Sequence, residues 1–174
     1  MKQRTLFSPL VLLVTSMGMA QDNAAVEGTA AEQAEVKGEA AAVDAPHTSP
    51  LDELEWMIGQ WVDDGGDSKI ITSCSWTKNR KFLKRSFTVT IDGQASLEGT
   101  QFIGWDPIAG QIRSWTFDSE GGIGQGRWIK DGNRWLVKTS FILASGERAS
   151  AIKMITYVDE DTLRWQSTNS EVAC

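Results

Sequence analysis

The sequence is poor in the side chains that most enzymes use for chemistry. Its 174 residues hold a single histidine, two cysteines, one tyrosine and four prolines. The histidine, His47, lies ahead of the patterned part of the chain, and Cys74 and Cys174 stand a hundred residues apart. Those counts exclude a Ser-His-Asp triad, a Cys-His dyad, a histidine-held haem and ordinary zinc centres. No catalytic residue, metal ligand or cofactor is assigned. Basic charge is scarce too: 17 Lys and Arg stand against 23 Asp and Glu, a net charge of −6. That balance argues against nucleic acid as a partner, because neutralising phosphates needs a basic face.

What is present falls into three segments. Lys2 and Arg4 precede an apolar stretch centred on Leu10-Val11-Leu12-Leu13-Val14, too short to span a bilayer and interrupted by Pro9. Gly18-Met19-Ala20 then supplies the small residues of a cleavage site. Residues 1–20 read as a signal peptide, so the expected location is periplasmic or extracellular, with no transmembrane segment after cleavage. Residues 21–50 carry six acidic residues against Lys37 alone and no aromatic residue. Such a stretch buries too little apolar surface to offset its chain entropy and is expected to be a disordered acidic linker. Residues 51–174 contain all eight tryptophans, 14 basic and 17 acidic residues, and form the domain.

Turn-forming pairs punctuate that domain, among them Asp64-Gly65-Gly66-Asp67, Asp92-Gly93, Glu120-Gly121-Gly122, Asp131-Gly132-Asn133 and Ser145-Gly146. Asp-Gly and related pairs supply the positive φ of tight hairpins. The runs between them alternate with period two and are rich in β-branched and aromatic residues. Nine strands are predicted, beginning near Gly59, Ser68, Phe82, Ala95, Gln111, Gly122, Arg134, Arg148 and Thr162. Their spacing leaves no room for helical crossovers, so neighbours pair as antiparallel hairpins. Only Leu51–Met57 looks helical. The fold class is all-β, an antiparallel up-and-down meander of about nine strands. Closing it into a barrel removes two aggregation-prone edges. A two-sheet sandwich is the second architecture. A membrane-embedded barrel is the third, and Lys84, Lys138 and Lys153, placed on the outer face, count against it.

Parity assigns the faces. Leu83, Phe87, Val89 and Ile91 share theirs with Arg85; Leu97, Ile103 and Trp105 share theirs with Gln101. Trp115 and Phe117 go with Arg113, and Trp135, Val137, Phe141 and Leu143 surround Thr139. A guanidinium on an inner face costs free energy unless something pairs with it, such as a ligand carboxylate or phosphate. The alternative is pairing with Asp118 or Glu98 at the barrel mouth. Gly121, Gly122, Gly124 and Gly126 leave one side of the next strand bare until Trp128, which admits a ligand or a close backbone approach; the alternative, and the preferred reading, is a bulge-rich hairpin packed under a tryptophan. The candidate ligand-binding residues are therefore Arg85, Gln101, Arg113, Trp115, Trp128 and Thr139. Trp61, Trp105 and Trp135 fall on apolar faces and read as core. Cys74 reads as a buried thiol, with a bridge to Cys174 as the alternative.

Leu54-Glu55-Trp56-Met57-Ile58-Gly59-Gln60-Trp61, a short helix leading into a strand that carries Gly-x-Trp, resembles lipocalin-like (calycin) barrels. Gly99-Thr100-Gln101-Phe102-Ile103-Gly104-Trp105-Asp106-Pro107 and Ile112 to Asp118 resemble the secreted bacterial lipocalin-like domains of unknown function that often follow a SnoaL-like domain. Met154 to Tyr157 and Leu163 to Thr168 fit the same pattern. The resemblance implies a barrel end closed by Trp61 and a cavity for small apolar molecules. It supplies no activity, no SnoaL-like domain precedes it here, and such domains continue for another strand. The barrel is thus expected to lack its closing strand.

Three functions follow as expectations. The first is an exported, non-catalytic binding protein for a small apolar or amphipathic molecule, anionic ones included. The second is a cofactor-free isomerase or hydrolase using Asp118 or Glu120 beside Arg113. The third is a protein-interaction or structural barrel with a solid core. No oligomeric state is assigned.

Overall fold

The computed structural model describes residues 3–7, 49–64 and 68–173. The rest of the expected signal peptide, the expected linker up to residue 48, and Cys174 lie outside the described residues. Strand β1 covers Gln3–Phe7, and a 3-10 helix covers Pro50–Met57. There follow β2 (Gly59–Asp64), β3 (Ser68–Trp76), β4 (Phe82–Ile91), β5 (Gln94–Asp106) and β6 (Gln111–Asp118). The chain continues through β7 (Ile123–Asp131), β8 (Arg134–Ile142), β9 (Arg148–Asp159) and β10 (Thr162–Ala173). Strands β2 to β10 each begin within a residue of the position that the turn spacing predicts.

Local chemistry explains the elements. Ser49 caps the helix: its Oγ accepts from the Leu51 amide at 3.2 Å, and its own amide donates to the Asp52 carboxylate at 2.8 Å. The apolar residues Leu51, Leu54 and Met57 recur every three residues, which suits a 3-10 helix of three residues per turn, and all three are buried. Gly59, at φ 126°, then turns the chain into β2 in a conformation that a side chain would oppose. At the β4–β5 hairpin both Asp92 (φ 50°) and Gly93 (φ 77°) are left-handed, as the two-residue turn requires.

Consecutive strands from β2 to β10 pair antiparallel without a crossover. This nine-strand meander curls into an open barrel. Its end strands, β2 and β10, pair not with each other but with β1, which lies parallel to both and completes the ring. The strand in the seam thus comes from the stretch read as a leader. No helix among the described residues is long and apolar enough to cross a membrane.

The main core lies at the helix-covered end. Leu51, Leu54 and Met57 meet Cys74, Leu83, Ile103, Ile112, Trp128, Trp135, Val137 and Ile155 there. Beside it Trp61 and Leu163 pack with Trp56, Tyr157 and Trp165, and the Trp61 indole Nε1 donates to the Met57 carbonyl at 2.8 Å.

Candidate functional site

Register fixes what faces inward. Leu83 and Ile103 are buried cross-strand partners, and steps of two from that pair trace the inner surface. Below them lies the apolar floor over the helix. The next level brings Cys74, Arg85 and Gln101 together on β3, β4 and β5, with Ser114 and Thr116 beside them on β6. On the other side of the ring, Thr139 of β8 faces Ala151, and Lys153 follows on β9 opposite Ser167. Beyond this polar level, Phe87 stands opposite Gly99 and Phe141 opposite Gly124.

The polar level is a hydrogen-bonded network with cations in it. The Gln101 amide donates to Ser114 Oγ at 3.3 Å and to Thr116 Oγ1 at 3.1 Å. Arg85 donates through its two terminal nitrogens to Gln101 Oε1 at 3.5 Å and Thr72 Oγ1 at 3.4 Å, both long bonds to neutral acceptors. Its Nε is sealed from solvent and has no acceptor. The guanidinium lies 4.4 Å from the Trp165 ring centroid and 5.3 Å from that of Phe87. Lys153, partly buried like Arg85, forms no hydrogen bond or ion pair among the described residues. No ion pair joins a described carboxylate to either cation.

Desolvation shows in the acid–base properties. Burial pushes the Lys153 ammonium down to about 8, and the Arg85 charge pushes in the same direction. Burial also brings Arg85 down to about 10, opposed by Cys74. The Cys74 thiol is driven up to about 11 by burial against the pull of Arg85, so it stays protonated and unreactive, a free thiol in the wall. Met57, Trp61, Thr72, Cys74, Arg85, Leu163 and Trp165 enclose a cavity of about 10 Å³, room for roughly one water. A larger guest enters only if side chains at the polar level move.

Four of the six expected ligand residues face inward: Arg85, Gln101, Thr139 and Trp128. Thr139 donates to the Ala151 carbonyl at 2.9 Å. Trp128 belongs to the floor, edge-on to Trp135 at 6.2 Å, with its indole Nε1 buried and unpartnered. The other two need correction. Ser114 pairs with the inward Ile103, so its neighbours Arg113 and Trp115 point outward. The reason lies in the composition of β6, whose inner face carries Ile112, Ser114 and Thr116 while the bulky aromatics sit outside, reversing the usual hydrophobic cue. Outside the barrel Arg113 donates to Asp106 at 3.2 Å and Gln125 at 3.1 Å. The Asp106 carboxyl is held below its ordinary range by the Ala109 amide and then by Arg113.

Four further expectations change. Lys153 faces inward, not outward, because it shares a face with Ile155, whose cross-strand partner is the buried Trp135. Trp105 is 38% exposed rather than core. The glycines of β7 are no ligand slot. A Cβ at Gly124 would collide with the Phe141 ring, and one at Gly126 with Ser114 Oγ, so neighbouring side chains already fill the space. Asp118 organises its turn instead of facing Arg113: its Oδ1 accepts from the Glu120 amide at 3.1 Å and the Gly122 amide at 2.7 Å.

The residues that sequence reasoning missed are Lys153, Thr72, Ser114, Thr116 and Trp165. Cross-strand register from the turns inward would have found Lys153, since the composition of β9 is mixed on both faces. No protein-family model matches this chain, and no curated protein is detectably similar to it.

Proposed function

We propose that this chain is an exported, non-catalytic binding protein. It takes the negatively charged group of a small amphipathic molecule between Arg85 and Lys153 inside a lipocalin-like barrel. One observation carries the reading: two desolvated cations share the polar level with no described carboxylate to compensate them. An arrangement of that kind costs stability unless an anion arrives, and Arg85 retains an unused buried donor for it. Trp165, Phe87 and Trp61 offer apolar surface to the rest of the guest. The lipocalin-like assignment draws on the meander, the helix before Gly59-x-Trp61, and the burial of Trp61 beneath that helix.

Purified residues 21–174, with the full chain as comparison, are examined by native mass spectrometry for retained small molecules. Tryptophan fluorescence is then titrated with fatty acids and with alcohols of matching length. Saturable quenching by the acids but not the alcohols, lost in Arg85→Met while circular dichroism is unchanged, supports the reading. Flat titrations with a ligand-free mass sink it for these ligands.

A second reading, a barrel that engages another exported protein, is favoured by an apolar row on its outside. Phe117, Ile123 and Ile142 are cross-strand neighbours on β6, β7 and β8, and each is about half exposed (48%, 50% and 52%). Ile123→Asp would abolish co-purification of such a partner and leave fatty-acid quenching intact.

A further inference from the structure

A second concentration of positive charge lies outside the barrel, on the face away from Arg85. Register places Arg113 directly opposite Arg127, and Arg127 directly opposite Lys138, so three cations form one row across β6, β7 and β8. At a strand spacing of about 4.8 Å the row is roughly 10 Å long. Like charges directly opposite one another destabilise a sheet. Here only Arg113 has a carboxylate, Asp106 at 3.2 Å; Arg127 and Lys138 have no ion pair among the described residues. The row stands out in a chain whose net charge is −6.

The surface around the row is built as well as charged. Gln111, Gln125 and Ser140 flank the three cations, and together they line an open hollow of about 290 Å³. Gln125 is held in place by its bond from Arg113 Nη2 at 3.1 Å. That leaves Arg113 with a buried Nε and no acceptor, a donor aligned with nothing in the protein. Guanidinium groups receive tetrahedral oxyanions through paired N–H donors, and a lysine adds a point charge. Amide and hydroxyl groups beside them complete the hydrogen bonds of oxygens that carry less charge. The hollow is small and open, and its lining is mostly polar.

We infer that the row Arg113–Arg127–Lys138 is a binding site for a compact polyvalent oxyanion, two or three linked phosphate or sulfate groups, separate from the interior site. The row matches a linear ligand whose charges follow one another. A single orthophosphate engages one or two of the three cations and binds more weakly. Such an anion arrives free in solution or as the terminus of a larger carrier, and the hollow is open enough for either.

Tripolyphosphate, pyrophosphate, orthophosphate and citrate are titrated against the full chain by isothermal calorimetry at low and moderate salt. Saturable binding should rank tripolyphosphate above pyrophosphate above orthophosphate and weaken as salt rises. Arg127→Ala with Lys138→Ala, both exposed positions, should lower the tripolyphosphate affinity at least about tenfold. Lys84→Ala, on the outer face of β4, should leave it unchanged. Citrate binding as tightly as tripolyphosphate overturns the phosphate or sulfate preference. No binding at millimolar ligand, or binding untouched by the double variant, overturns the site. Loss in Arg85→Met with retention in the double variant moves the anion to the interior and overturns the proposal while leaving the interior reading intact. A dodecyl monophosphate arm separates the sources: tighter binding than orthophosphate, lost in the double variant, means a carrier terminus is accepted, and equal binding restricts the site to the free ion.

Discussion

The ring of Phe141 occupies the space where Gly124, its cross-strand partner on β7, would carry a side chain. Phe87 stands in the same relation to Gly99 across β4 and β5. Both pairs lie beyond the polar level and narrow the barrel where inward residues of the neighbouring strands are small. An aromatic ring over a glycine also restores contacts that the glycine alone would leave unmade. These glycines are thus sites of close packing within the wall.

That geometry gives a direct test. Gly124→Ala forces the Phe141 ring to move and should destabilise the protein by about 1–3 kcal/mol, the usual range for overpacking. In a Phe141→Ala background the same change meets no ring and should cost little or even stabilise, because alanine orders a strand at lower entropy cost than glycine. Urea denaturation of the four proteins measures the coupling. Additive effects would mean that the ring does not sit over Gly124.

Trp61 should be the anchor of the helix-covered end. It is buried, joins Leu163 and the flanking aromatics, and donates to the Met57 carbonyl at the last residue of the helix. Trp61→Phe keeps most of the apolar area and loses the hydrogen bond, so a loss of about 1 kcal/mol is expected. Trp61→Ala leaves a cavity as well and should cost about 3–5 kcal/mol, with the near-ultraviolet dichroism of the aromatic cluster diminished. Equal small losses for both variants would remove Trp61 from the core.

How much of this was legible in the sequence depends on which cue each element offered. The strand starts were readable because Asp-Gly and Asn-containing turns impose local geometry, and Asp92 and Gly93 adopt the left-handed pair that their residue types suggest. The helix was readable from Leu51, Leu54 and Met57, although their spacing of three selects the tighter 3-10 form. The site was legible only where bulk and burial agree. Arg85 and Gln101 lie on strands whose inner faces also carry Leu83 and Ile103, so hydrophobic parity carried them inward. On β6 the inner residues Ser114 and Thr116 are small and polar while Trp115 and Phe117 face out, and the same parity rule inverted the strand. Lys153 was hidden for a related reason: Ile152 and Met154 give the outer face of β9 as much apolar character as the inner one. A barrel with a polar middle breaks the assumption that the bulkier face is the buried one.

The seam between β2 and β10 should depend on the N-terminal segment. Residues 3–7 bridge the two strands in parallel, and Trp61 stands opposite Arg4 in the register while Leu163 stands opposite Leu6. A chain beginning at residue 21 lacks that strand and leaves the facing backbone groups of β2 and β10 without a partner. Hydrogen exchange should then be faster in Gly59–Asp64 and in the matching part of β10 than in the full chain, with β4 to β8 unaffected. Equal protection in the two chains would mean that β1 adds nothing to the barrel edges. N-terminal sequencing of the protein purified from its producing cells decides which of the two forms is present.

Lys153 makes stability depend on pH in a direction that can be worked out. Its ordinary value is near 10.5 and the folded value is about 8, so the unfolded chain binds the proton more tightly. Stability should therefore rise as the pH climbs from about 8 towards 10.5, by up to about 2–3 kcal/mol from this group. Cys74 acts in the opposite sense between about 9 and 11, because the unfolded chain releases the thiol proton first. Arg85 adds a rise above about 10. Lys153→Met removes the first contribution and retains the others, so the difference between the two proteins isolates it. The variant should be the more stable at pH 7, where the wild type holds an uncompensated ammonium beside Arg85, and its advantage should shrink above pH 8. Fatty-acid affinity should fall over the same range in the wild type and stay level, and weaker, in the variant. Urea midpoints and fluorescence titrations across pH 7–10 measure both. A constant stability difference would place Lys153 in solvent and remove it from the binding level.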